Sequence, residues 1–426
     1  MTFPFPHSSS ELPRPSEIGE PLSEAFLDVS SVRDSLPEQY RTQFDELRSN
    51  ILAFCKEFKI PVETLRSKED FGKQLAIKKI PPERMAQAVL LFARLEYLVT
   101  NKEPLKIESE ALKEVEPLYH LTEQYNSQVS LLERVGILKD GVITGIDGNK
   151  YPIPTLEQIA SCLLEREREF SVKRDQGFTK LLLVPFGMSL DTLREILKQF
   201  LLSYKTDHSD FDLDTDDPLY TWKDGYEGAD IGDPPKIVYN PKSFDNNHQG
   251  QTKLEILKAQ TENPKDSFPG WRIHLLQPSD PTNQESKGFA LIPREGQGTT
   301  NGEETPRSSL EAGKSPTDYL SILQQAQDDP DSPYFQESGL TPEDWILAFI
   351  THLTETGQPL DNYQSNNESI TYLTGAFFPS IDGSAFVPYA FWFRGVRRAD
   401  LRRSVPGSRD VCFGVRSAVI VQNLDT

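Results

Sequence analysis

Phe386-Val-Pro-Tyr-Ala-Phe-Trp392-Phe-Arg-Gly-Val-Arg397-Arg-Ala-Asp-Leu401-Arg-Arg-Ser-Val-Pro406-Gly-Ser-Arg409-Asp-Val-Cys-Phe-Gly414-Val-Arg416-Ser-Ala-Val-Ile-Val421 is the stretch that decides the fold. Short β-branched and aromatic runs broken by Gly, Pro and Ser predict strands at Phe386 to Phe393, Ala399 to Arg403 and Phe413 to Val421, with another at Ser369 to Leu373. Arginines (Arg394, Arg397, Arg398, Arg402, Arg403, Arg409, Arg416) stand among the rings, although 45 basic and 65 acidic residues give the whole chain a net charge of −20. That charge disfavours nucleic acid overall, so a polyanion partner would need this local patch.

Immediately upstream, the pattern is helical. Ser315-Pro-Thr-Asp318 and Thr341-Pro-Glu-Asp344 each place an N-cap, a proline whose missing N–H costs nothing there, and a carboxylate near the free amides. The second helix carries His352 on its apolar side, where it reads as a satisfied core histidine, and stops at Gly357. Strands at Trp271 to Leu276 and Gly288 to Ile292 come before, then a polar loop from Glu295 to Gly313.

Residues 139–264 mix periods. Asp147-Gly148 between alternating apolar residues predicts a hairpin, since that turn needs positive φ. A helix over Leu156 to Arg168, a strand over Thr179 to Phe186 and a helix capped by Ser189 follow. The acidic segment Asp210, Asp212, Asp214, Asp216 imitates the start of an EF-hand, but Thr215 replaces the required Gly and Thr221 the bidentate Glu. A solvated acidic loop is the simpler reading, and a non-EF calcium site of aspartates and carbonyl oxygens is the alternative. Residues 36–138 read as a helical domain: stripes through Phe44, Ile51 and Cys55, through Ala88, Phe92 and Leu95, and over Glu108 to Arg134. Residues 1–35 are rich in Ser, Pro and Glu and read as a disordered tail.

The 426 residues are too many for one ordinary core. Cys55, Cys162 and Cys412 are too far apart for a disulfide framework or zinc site, so no cofactor or metal is expected. Without a secretory leader or an apolar run of about 18 residues, the chain reads as cytoplasmic, with no membrane span. Oligomeric state leaves no mark in the sequence.

One strand, two helices and several short strands, from about residue 265 to 421, resemble the C-type-lectin fold in their order. The ending Gly414-Val-Arg416-Ser-Ala-Val419 resembles that of the variable proteins diversified by retroelements, which use this fold. The resemblance implies antiparallel pairing of the first and last strands and a ligand-binding domain over 265–426. It also implies a framework of Val387, Pro388, Tyr389, Trp392, Arg397, Ala399, Leu401, Pro406, Arg409, Gly414 and Arg416. Between framework positions lie the implied ligand-binding residues: Phe391, Phe393, Arg394, Val396, Arg398, Asp400, Arg402, Arg403, Asp410, Val411 and Phe413. The bland alternative makes Phe391, Phe393 and Val411 core and the arginines a solvated edge that resists strand aggregation.

Formylglycine-generating enzymes share the lectin-type fold but need reactive cysteines, and Cys412 stands alone here. No GxSxG, HExxH or Walker A pattern occurs. The expectation is an α+β, non-enzymatic protein that binds a protein or small ligand at its C-terminal face. Two alternatives stay open: a polyanion-binding module built on the arginines, and an enzyme with a site in the acidic 205–250 region around Asp210 to Asp233 and His248.

Overall fold

A computed structural model describes residues 29–61, 74, 78, 80, 82–102, 110–263, 267–280, 283, 286–292, 310–364, 370–379 and 385–422. Helices and strands are both abundant, and the class is α+β. The chain divides into two compact units, Met1–Ile107 and Glu108–Thr426.

The first unit is helical. Val29–Asp34, Glu38–Glu57 and Pro82–Asn101 are helices, and Val32, Phe44, Ile51, Cys55, Phe92 and Leu95 close a common core. Of the expected tail over residues 1–35, residues 1–28 lie outside the described residues, whereas Val29–Asp34 is helical because Val32 and Leu36 are buried in that core. Burial pushes the Cys55 thiol up to about 11, which leaves it an inert core side chain.

The expected divisions at 138/139 and 264/265 both lie inside the second unit, because one core runs from Ala111 to Val421. The expected helix over Glu108 to Arg134 is two helices, Glu110–Tyr119 and Leu121–Arg134, broken at His120, whose φ of 48° is left-handed. Glu116 accepts from the Thr122 amide (2.9 Å) and hydroxyl (2.8 Å), so the second helix gains a side-chain acceptor at its start.

In chain order the strands are β1 Val142–Thr144, β2 Lys150–Pro152, β3 Lys180–Val184, β4 Leu219–Thr221, β5 Val238–Tyr239, β6 Arg272–Leu276 and β7 Glu337–Gly339. They continue with β8 Asn362–Tyr363, β9 Ile370–Tyr372, β10 Ala376–Phe377, β11 Val387–Phe393, β12 Arg398–Ser404, β13 Phe413–Val415 and β14 Ser417–Ile420. The β1–β2 hairpin forms at Asp147-Gly148, with Gly148 at φ 80°. A four-stranded sheet has the order β3-β6-β14-β7, all antiparallel, and Val419 of the last strand pairs with Leu275 of β6. A second sheet runs β13-β9-β11-β12-β4, with β8 alongside β11.

The single strand expected over Phe413 to Val421 is therefore two, one in each sheet. The break falls at Arg416, which turns inward to Asp361 rather than continuing the alternation. The strand expected over Gly288 to Ile292 is reduced to one bridge, Phe289 to Pro278. Of the expected loop from Glu295 to Gly313, residues 295–309 lie outside the described residues, and Leu310 and Ala312 are buried.

The helix Pro342–Thr356 is buried along its length from Pro342 to Leu353, against β3, β11 and the helix Leu190–Asp207. A helix with Trp345, Ile346, Leu347, Phe349 and Ile350 around its circumference needs such a place, and each ring it buries stabilises the fold by about 2–3 kcal/mol. Its Thr341 capping box, the matching one at Ser315, the Ser189 cap and the left-handed Gly357 all form as expected. His352 accepts from the Phe289 amide (2.9 Å), and burial pulls its pKa down to about 4. It is a neutral core histidine.

Candidate functional site

Alternation along β11 and β12 sorts their side chains onto two faces. Ala390, Trp392, Ala399 and Leu401 point into the core and are at most 3% exposed. The register opposes Tyr389 to Arg402, Phe391 to Asp400 and Phe393 to Arg398 on the other face.

The neighbouring strands extend that face. β8, parallel to β11, sets Tyr363 beside Phe393, and β9 sets Tyr372 beside Tyr389. On the far side β4, parallel to β12, sets Tyr220 beside Asp400. The rings form a ladder: Tyr363 to Phe393 (6.1 Å), Phe393 to Phe391 (5.6 Å), Phe391 to Tyr389 (6.1 Å), Tyr389 to Phe413 (5.1 Å) and Phe413 to Tyr372 (4.9 Å). Tyr319 and Leu323 of the helix Pro316–Gln327 cover the Tyr372 end. Tyr389, Phe393 and Tyr363 stay half-buried.

Beside the ladder sits a charged group with one anion under two cations. Asp400 is completely buried and accepts from Arg398 Nε (2.9 Å) and Arg402 Nε (2.7 Å), while Arg402 adds a second nitrogen at 2.6 Å. Both guanidinium groups lie over the Tyr220 ring, at 4.8 and 4.9 Å from its centre. Burial raises the Asp400 pKa above the ordinary carboxylate value, against the pull of Arg402 and Arg398.

The expected ligand residues thus divide. Phe393, Arg398, Arg402 and Phe413 gather on one face. Phe391 is 4% exposed and Asp400 not at all, so these two support the face from beneath instead of contacting a ligand. Arg403 belongs to the other face, where its guanidinium lies over Trp222 (3.9 Å) and Phe386 (3.7 Å). Arg394 and Val396 lie in the β11–β12 turn, where Arg394 bonds Asn362 (3.0 Å) and Gln364 (2.6 Å). Asp410 accepts from the Cys412 amide (2.9 Å), and Val411 is exposed. Sequence reasoning placed Tyr389 in the framework and missed Tyr363. Tyr220, with Thr221 and Trp222, is legible in the sequence only as a stretch that could belong to a site.

Elsewhere in the segment the arginines find local partners as well. Arg397 lies 3.5 Å from Asp212, Arg398 also meets Asp217, Arg409 meets Asp318 (2.8 Å) and Arg416 meets Asp361 (2.7 Å). Carboxylates from the acidic segment thus balance the turn that looked basic in the sequence, and no uncompensated cationic stripe runs along it.

Within that segment the acidic and imidazole groups hold local partners. Asp214 accepts from its own Asp216 and Asp217 amides, and the His248 ring accepts from the Gly250 amide at 2.9 Å. Asp230 is buried with Lys253, which also bonds Glu343 (2.8 Å) and the Met188 carbonyl (2.8 Å). Among the described residues, no group of three or more His, Cys, Asp or Glu is placed to hold a metal ion, and no helix is long and apolar enough to cross a membrane. No family model matches the chain, and neither curated proteins nor solved structures include a match.

Proposed function

We propose that the protein is a non-enzymatic binding protein, and that the outer face of the six-stranded sheet takes a protein or small ligand. One observation carries this reading: on the outward side of β8, β11 and β12 the rings of Tyr363 and Phe393 and the guanidinium groups of Arg398 and Arg402 stay partly exposed side by side, next to the buried Phe391 and Asp400. A scaffold of that kind lets contact residues vary while the backbone stays fixed, and aromatic and Arg side chains are those that concentrate binding energy.

The finer reading is a lectin-like domain bearing a retroelement-diversified segment, and it rests on the resemblance of the Gly414 to Val419 ending. The neighbouring DNA tests it. A near-copy of the final coding stretch, differing at adenines, is expected beside a reverse-transcriptase gene. Its differences should fall in the codons of Phe393, Arg398 and Arg402 and spare those of Trp392, Ala399 and Leu401. If no such copy exists, the diversification reading fails and the binding reading stands on the face alone.

A further inference from the structure

We infer that the occupant of this face is an acidic peptide segment, whose carboxylate seats on the Arg402 guanidinium while a neighbouring apolar side chain lies on Tyr389 and Phe393. The inference rests on the binding face proposed above and names what that face takes.

Charge stoichiometry comes first. Two guanidinium groups share the single buried carboxylate of Asp400, so neither has a buried anion to itself. Arg398 has a second anion in Asp217, but that carboxylate is 54% exposed and screened by water, so it contributes little. Among the described residues the ion pairs of Arg402 run to Asp400 alone, and its side chain is 34% exposed. Of the two, Arg402 is the guanidinium without a carboxylate of its own among the described residues.

Pre-organisation comes second. Arg402 spends Nε and one terminal nitrogen on the same carboxylate and lies over Tyr220 (4.9 Å) and Phe391 (5.7 Å). A guanidinium held this way loses little freedom when a ligand carboxylate arrives, which is where much of the cost of binding usually lies. A polyphosphate chain suits the site less well. Asp212 and Asp217 stand at its edge and would repel a run of phosphates, whereas the one exposed edge of Arg402 matches one carboxylate.

Length comes third. Tyr220 and Asp217 also line a cavity of about 530 Å³, walled by Asp191, Arg194, Glu195 and Lys198. The cavity carries both signs of charge and adjoins the Arg402 site through Tyr220. A polypeptide continuing past its acidic residue has a polar groove to occupy, whereas a free small acid would leave it empty.

The test is to pan a displayed random peptide library on the full chain, then measure the enriched peptides as synthetic ligands. Enriched sequences should carry Asp or Glu next to an aromatic or aliphatic residue. Their affinity should fall at least about tenfold in Arg402→Gln, by less in Arg402→Lys, and hardly at all in Arg403→Gln on the opposite face. Near-ultraviolet circular dichroism confirms that each variant is folded. Peptides without Asp or Glu, unchanged affinity in Arg402→Gln, or no enrichment on folded protein would each overturn the inference. Loss of binding in Phe393→Ala but not in Arg402→Gln would keep the binding face and reject the acidic ligand. No loss in either variant would reject both. Full displacement of the peptide by free phenylacetate would show that a small acid suffices and that the peptide assignment is wrong.

Discussion

Asp361 and Asp400 are both buried carboxylates that hold arginine, yet one locks the core and the other presents a surface. Asp361 receives Arg416, the Trp345 indole N–H (2.9 Å) and the Thr371 hydroxyl (2.6 Å), and Arg416 also donates to the Ala290 carbonyl. One cation meets one anion and both are out of water. Asp400 meets two cations, and their outer edges reach solvent. A buried carboxylate thus sits in two settings: a closed pair is wholly out of water, while an open one leaves the outer edges of its cations in solvent.

Breaking the closed pair should have the largest effect. Arg416→Ala leaves Asp361 buried without its cation and is expected to cost about 3–5 kcal/mol in urea unfolding. A loss of under about 1 kcal/mol would mean that the pair is not the lock described.

His352 sharpens the same side of the comparison, because after burial the nearby Arg416 charge is the next cause of its low pKa. The unfolded chain takes up this proton near 6.5 and the folded chain only near 4. The unfolded state therefore binds more protons between those values, and stability falls as pH drops through the window. The contribution is on the order of 3 kcal/mol. Unfolding measured across that range should lose this part of its slope in His352→Gln.

The open group should tolerate change better. The raised pKa of Asp400 means that desolvation outweighs its pairing, so its charged form adds no stability, and any linkage runs opposite to that of His352, with stability lost as pH rises through the folded pKa. Asp400→Asn is expected to cost no more than about 1 kcal/mol, because the desolvation it relieves offsets the lost pairing. A cost equal to that of Arg416→Ala would erase the distinction between the two carboxylates. Smallest of all, Arg397→Ala at the exposed Asp212 pair should change stability by less than about 0.5 kcal/mol in the same titration.

Much of the fold was legible because its signals are local. Ser189, Ser315 and Thr341 cap helices within three residues of themselves, and Gly357 ends one by its own φ. Trp392, Ala399 and Leu401, grouped as framework residues, are inward positions of β11 and β12, while Val387 and Tyr389, grouped with them, lie on the other side of the sheet, Val387 buried against Phe377 and Val238. Half of the site was not legible. β4 and β8 are too short to signal themselves, and they reach the face by parallel pairing across long loops. The break at His120 and the unit boundary after Ile107 likewise left no periodicity to read.

By itself, the sequence determined the α+β class, the caps and the concentration of rings and arginines in the last strands, since propensity and alternation act over a few residues. Only the tertiary structure decided which arginines are spent. The carboxylate for Arg416 comes from residue 361, and those for Arg397 and Arg398 come partly from residues 212 and 217. Charges find one another through space, and burial, which no local pattern records, sets what each meeting is worth.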